Sequence, residues 1–230
     1  MSRSIDVYLE SAPKRTFAVA LDWPGWARSG KTDEEALAVL ATYGSRYKKT
    51  LPSAGRELSP PSDASGFHVT ERVEGGSGTE FGVPSASVPA DARPVTDDEL
   101  RRLVSLLRAA WRAFDRAAEA AEGVELRKGP RGGGRDLAKI REHVLEAEEA
   151  YVSEAGGTYD RIKADIADRM SAARDAMIAT LGSSARGEEL RPMVRRTRPY
   201  WTVRYCVRRS AWHALDHAWE IEDRAAPEPA

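Results

Sequence analysis

Ser210-Ala211-Trp212-His213-Ala214-Leu215-Asp216-His217-Ala218-Trp219-Glu220 is the stretch on which the reading of this chain turns. Two of the chain's four histidines stand here at i, i+4. At about 100° per residue they fall within ~40° of each other on a helix. Glu220, Arg209 and Cys206 lie toward the same side, while Trp212, Leu215 and Trp219 lie to the flanks and are set to pack on other helices. Such a face is polar at its centre and apolar at its rims. Burying it costs free energy unless the polar groups are satisfied, and a bound cation is one way to satisfy them.

A third histidine, His143, lies in a second strongly helical stretch, Ile140-Arg141-Glu142-His143-Val144-Leu145-Glu146-Ala147-Glu148-Glu149. Two imidazoles on one helix face and one from a neighbouring helix are what a three-nitrogen metal site requires. Neutral imidazole suits zinc, nickel, copper or iron; zinc or nickel leads here. Three protein ligands with a position left for water is the catalytic arrangement, not the closed structural one. Glu146, Asp216 and Glu220 each stand near a proposed ligand and are candidates to hold its second ring nitrogen. An H-x-x-x-H pair by itself also arises by chance on a solvated face. The pair gains weight from His143 in a chain this poor in histidine.

Other candidates read more plainly. Cys206 is about 10 Å of helix rise from His213 and reads as core. His68 reads as a structural residue of a strand, and Tyr200, Trp201 and Tyr205 as packing. Glu146, Glu148 and Glu149 read as a solvated face. Arg195, Arg196, Arg198, Arg204, Arg208 and Arg209 form a basic cluster, for which solvation and interhelix pairing are the plain explanations. Arg209, on the histidine side, is the candidate contact for an anion or substrate.

Upstream, Ile5 to Leu9 and Thr16 to Leu21 read as a hairpin around Ala12-Pro13-Lys14-Arg15. Thr32-Asp33-Glu34-Glu35 reads as a capping box that opens a helix. Pro52 to Gly66 reads as a loop. Phe67 to Val73 and Thr79 to Val83 flank Gly75-Gly76-Ser77-Gly78 and predict a second hairpin. Pro84 to Val95 is the linker candidate. Helix formers then take over. Thr96-Asp97-Asp98-Glu99 caps a helix with an apolar stripe through Leu100, Leu103, Leu107, Trp111 and Phe114. After the break at Gly129-Pro130-Arg131-Gly132-Gly133-Gly134, helices are expected from about Asp136 to Ser153, Thr158 to Leu181 and Pro199 to Asp223. The expected class is α+β: a small N-terminal αβ module over 1–90, a four-helix bundle over 96–224 and a tail over 225–230. Bundles can host metal sites between facing helices.

The 230 residues carry a formal net charge of −1, so a field for polyanions, and hence a nucleic-acid partner, is not expected. No apolar run reaches the ~20 residues a membrane span needs. Met1-Ser2-Arg3-Ser4-Ile5-Asp6 lacks the apolar region of a signal peptide. The single cysteine excludes an intrachain disulfide and points to a reducing cytoplasm.

On His143 and the His213, His217 pair, the stretch from Thr96 to Arg224 resembles the DinB-like superfamily. These are metal-binding four-helix bundles that include bacterial thiol-dependent transferases and isomerases. The resemblance implies a divalent metal held by the three histidines, with water completing the shell. It also implies a low-molecular-weight thiol such as mycothiol or bacillithiol, made more acidic so that the thiolate attacks a small electrophile. The sequence shows no motif for a thiol pocket, and no catalytic side chain is assigned. Phe17-Ala18-Val19-Ala20-Leu21-Asp22-Trp23-Pro24-Gly25-Trp26-Ala27-Arg28-Ser29-Gly30-Lys31-Thr32-Asp33-Glu34-Glu35-Ala36-Leu37 resembles a HicB-like module, with its strand, Pro-Gly turn, Gly-x-Thr step and Glu-Glu-Ala helix start. HicB proteins act as antitoxins and often carry a separate DNA-binding domain, but no helix-turn-helix or ribbon is evident in this sequence. The resemblance implies an interaction or dimerisation surface, or a lid over the bundle.

The leading expectation is a metal-dependent enzyme, a thiol S-transferase or hydrolase acting on a small-molecule substrate. The alternative is a non-catalytic binding or regulatory protein whose HicB-like module recognises a protein partner, with a structural metal in the bundle. An antitoxin-like regulator ranks third. No membrane partner is expected, and a homodimer is left open.

Overall fold

β1 (Ile5–Ala12) and β2 (Arg15–Ala20) form the first hairpin, antiparallel, with Val7 opposite Ala20 and Ala12 opposite Arg15. The computed structural model describes residues 4–51, 58–128, 134–192 and 197–226. Residues 1–3 of the N-terminal reading, 52–57 of the loop, the break at 129–133, Arg195 and Arg196 of the basic cluster, and the tail from 227 lie outside them. β3 (Ala27–Gly30) pairs antiparallel with β2. α1 (Asp33–Thr50) then crosses over, and β4 (Phe67–Glu74) returns parallel to β1, giving the order β3-β2-β1-β4. The Thr32 half of the expected capping box forms, while Glu35 reaches one residue past the N-cap. Thr32 accepts from the Glu35 N–H, and the Glu35 carboxylate reaches back to the Lys31 N–H at 2.8 Å.

The second hairpin does not form. Ser77–Phe81 is a short helix, α2, where a strand was expected. The cause is Glu10, wholly buried in β1. Its carboxylate accepts from the Thr79 hydroxyl at 2.5 Å, the Ser85 N–H at 3.0 Å and the Ala86 N–H at 3.1 Å. A buried carboxylate has to be satisfied, and the chain after β4 curls over β1 to do it. The expected linker is likewise packed. Val88, Ala90 and Asp91 are buried, and Asp91 accepts from the Arg208 guanidinium at 2.8 Å.

Four long helices follow: α3 (Asp97–Ala120), α4 (Leu137–Glu154), α5 (Ile166–Ala185) and α6 (Val203–Ala225). α3 carries the Thr96–Glu99 capping box. α5 begins later than Thr158 because Asp165 caps it, accepting from the Asp168 N–H at 2.9 Å, while Arg161 is drawn to Glu149 at 2.7 Å. α6 begins after Pro199 for a similar reason. Thr202 accepts from the Tyr205 N–H, and the Trp201 N–H is tied to the Glu154 carbonyl at 2.9 Å.

The class is therefore α+β, a four-stranded sheet followed by a helical region. One apolar cluster joins the two, running from Val7, Leu9 and Trp26 through Leu106 and Phe114 to Leu215 and Trp219. Gly25 makes the closest approach. At φ +94°, it lies where a Cβ would stand 2.6 Å from Leu215 Cδ1 and 3.1 Å from the Ala211 carbonyl oxygen. No helix among the described residues is long and apolar enough to cross a membrane.

Candidate metal centre

α6 carries two stripes about 130° apart on the helix. Arg208, Trp212, Leu215 and Trp219 turn to the N-terminal residues. Trp212 sits in an apolar cluster with Tyr8, Phe17, Val19 and Ala27, and Trp219 packs on Tyr43 of α1 with ring centroids 5.4 Å apart. His213, His217 and Glu220 form the other stripe. There α6 meets α4, and there it meets His143.

One nitrogen from each of His143, His213 and His217 lies within 4.8 Å of the others. Nε2 of His213 and Nε2 of His143 are 3.2 Å apart. The rings stand edge to face, with centroids 5.1, 5.0 and 4.7 Å apart. Two imidazole nitrogens bound at about 2.0–2.1 Å to one tetrahedral ion are about 3.3–3.4 Å apart, so the His143–His213 spacing fits a shared cation. The third ring is oriented from behind. Nδ1 of His217 is engaged by Glu220 Oε2 at 2.8 Å, which leaves Nε2 for the cluster. Glu220 is itself held by Arg224 at 2.7 Å.

The surroundings of His213 and His143 favour the neutral ring. Burial pushes the His213 pKa well below its ordinary value, and the charges of His217, Arg209, His143 and Arg135 push the same way. His143 is also lowered, first by burial and then by His217 and Arg135, with Glu146 and Glu220 opposing. A neutral imidazole is the form that binds metal. The hydrogen bond from His217, aided by Arg224, holds the Glu220 carboxyl below the usual carboxylate range.

The remaining candidates divide. Glu220 stands behind His217 as a partner. The Glu146 carboxylate has no hydrogen bond among the described residues and reaches His143 only as a nearby charge. Asp216 holds no imidazole: it points to the sheet and accepts from Arg28 at 3.1 Å, since its position falls between the two stripes. Arg209 lies with its guanidinium 5.4 Å from the Tyr151 ring and 4.8 Å from the Trp212 ring. Cys206 is core, its thiol against Met177 Sδ at 3.4 Å and pushed up to about 12 by burial, so it stays protonated. His68 is exposed and bonded to Asp6 at 3.0 Å.

The solvated glutamate face is overturned in part. Glu148 is buried and accepts from Arg174 at 2.9 and 3.2 Å, because α5 packs across that side of α4. Two residues, one beside the triad and one that draws Asp216 away from it, carried no signal of their own. Tyr151, whose ring is 5.8 Å from that of His213, looks like any core aromatic. Arg28 lies 188 residues from the aspartate it holds. Arg224 was legible as the i+4 partner of Glu220. No protein-family model, curated protein or solved structure matches this chain.

Proposed function

We propose that this chain is a metal-binding protein of DinB-like kind, in which His143, His213 and His217 hold one divalent cation, zinc or nickel foremost. The observation that carries the reading is the convergence of three imidazole nitrogens from α4 and α6 within 4.8 Å, with His213 and His217 buried. Metal content of the purified protein, measured beside the triple His→Ala variant, tests it. One equivalent in the parent and none in the variant is expected; equal content in both overturns it.

We further read the centre as catalytic. Among the described residues no fourth His, Cys, Asp or Glu joins the three, and an incomplete protein shell is the mark of a reactive ion. A bound cation there supplies Lewis acidity, which makes a thiol or a water a better nucleophile toward a small electrophile. The chain's own residues supply the rest. Glu220 fixes the direction of the His217 ring, Arg224 fixes Glu220, and Tyr151 closes one side of His213. The Cys206 thiol, buried and protonated, does not serve as the nucleophile, and in this reading the attacking thiol or water comes from solution. We read the HicB-like segment as a buttress, because its loop and strands lie against α6 through Gly25, Arg28 and Phe17. A structural ion is the second reading, favoured by the burial of His213 and His217. It predicts that chelation lowers the melting temperature while electrophile panels with added thiol show no turnover.

A further inference from the structure

The arginines of α6 and its entry do not all behave alike. Arg204 pairs with Glu99 at 2.5 Å, Arg208 with Asp91 at 2.8 Å, Arg224 with Glu220 at 2.7 Å and Arg198 with Glu154 at 2.9 Å. Arg209 has no carboxylate partner among the described residues. Its Nη1 is closed off from solvent and has no hydrogen-bond acceptor among them. Buried or half-buried guanidinium groups are costly without a counter-charge. What surrounds Arg209 is aromatic: Tyr151 on one side and Trp212 on the other. Tyr151 is also the ring beside His213, at 5.8 Å between centroids, and Trp212 is 6.2 Å from the same histidine. Arg209 therefore shares both of its ring neighbours with a proposed metal ligand, one helical turn away on the same helix.

We propose that Arg209 is the anchor for the carboxylate of the substrate, which supplies the counter-charge the protein leaves out. The inference rests on the metal-centre reading for its role and on Arg209 alone for its chemistry. A planar guanidinium fork matches a carboxylate in two parallel hydrogen bonds, here along its Nε and Nη2 edge, since Nη1 is closed off from solvent. One uncompensated guanidinium balances one negative charge, which favours a monocarboxylate over a phosphate dianion. The flanking rings of Tyr151 and Trp212 restrict the approach and favour a flat, partly apolar acid. Bound this way, the acid is held beside the three histidines by a group that takes no part in holding the cation. The electrophilic class is thereby narrowed to small carboxylate-bearing compounds.

Benzoate serves as the probe and inorganic phosphate as the contrast, with affinity read by calorimetry on metal-free and zinc-loaded protein. The wild type is expected to bind benzoate in both forms, and phosphate more weakly. Arg209→Met is expected to weaken benzoate by about tenfold or more, and Arg209→Lys, which keeps the charge and the aliphatic stem but not the fork, by less. Zinc content should be unchanged in both variants. Equal benzoate affinity in the wild type and both variants overturns the proposal, as does a wild type that binds no benzoate at millimolar concentration. Stronger binding of phosphate than of benzoate overturns the carboxylate assignment. If Arg209→Met does not fold, equal affinity in Arg209→Lys and the wild type is sufficient to reject it. Loss of zinc in the triple His→Ala variant is a separate result. The metal reading can fail while benzoate still depends on Arg209, and the reverse can also occur.

Discussion

Replacing Glu148 by Gln should remove a pH dependence that the wild type carries. Glu148 is 5% exposed, and burial pushes its carboxyl up to about 7 against the opposing pull of Arg174. Arg174 meets its own burial cost with two carboxylates, Glu148 and Asp115, and stays charged. The unfolded chain ionises this glutamate near its ordinary value of about 4.3. Between about 4.3 and 7 the native state therefore holds a proton that the unfolded state has released. Stability from this group is fully present below that window and is lost as the pH rises through it. A gap of two to three pH units corresponds to about 3 kcal/mol, or about 6–12 °C in melting temperature for a chain of this size. Gln keeps the shape and one acceptor for Arg174 but cannot ionise. Urea unfolding of both proteins from pH 4 to 8 isolates the group, because other titrations cancel in the difference. The wild type should lose about 3 kcal/mol relative to Glu148→Gln across the series. A difference that stays flat, or that grows in favour of the wild type as the pH rises, would show that the ion pair outweighs burial and would refute the reasoning.

Two other substitutions test how the sheet is fastened to the helices. Arg208→Ala leaves Asp91, 2% exposed, without its cation; a loss of about 3–5 kcal/mol is expected in denaturant unfolding, and a loss under 1 kcal/mol would mean water reaches Asp91. Gly25→Ala places a Cβ 2.6 Å from Leu215 Cδ1 on a residue at φ +94°; it should cost about 1–3 kcal/mol, and an unchanged melting temperature would mean the loop can lift off α6.

Where local chemistry decides, the sequence is a good guide. The Thr32 and Thr96 caps, the first hairpin and the apolar stripe of α3 depend on residues within a few positions of each other. The i, i+4 spacing put His213 and His217 together for the same reason. It took tertiary packing to bring His143 within 3.2 Å of His213, though two helical patterns and a shortage of histidine were enough to suggest it. Apart from the starts of α5 and α6, the misses share one cause. Buried charges recruit partners across the fold, and sequence periodicity is blind to them. Glu10 turned an expected strand into α2, Asp91 turned a linker into packed chain, and Arg174 drew Glu148 under α5. Asp216 looked like a partner for the histidine beside it until Arg28 took it.

The same long-range contacts decide which way the imidazoles face. Each histidine of α6 follows a residue that docks on the N-terminal part: Trp212 precedes His213, and Asp216 precedes His217. A one-residue step turns the helix by about 100°, so fixing 212 and 216 against the sheet sends 213 and 217 toward α4. The two contacts are not equal. The Asp216–Arg28 pair is half-buried, its guanidinium 11% and its carboxylate 45% exposed, so water screens it from one side and it contributes less than a fully buried pair. Trp212 is 5% exposed. Burying 150–250 Å² of indole at about 25 cal/mol per Å² is worth about 4–6 kcal/mol. Its Nε1–H has no acceptor among the described residues, which takes back about 1–3 kcal/mol. The tryptophan still dominates. The aim of the histidine pair is therefore set by an apolar socket made of Tyr8, Phe17, Val19 and Ala27, far from it in sequence and on the opposite side of the helix. The N-terminal residues contribute no ligand to the triad, yet they fix the rotation of the helix that carries two of its three.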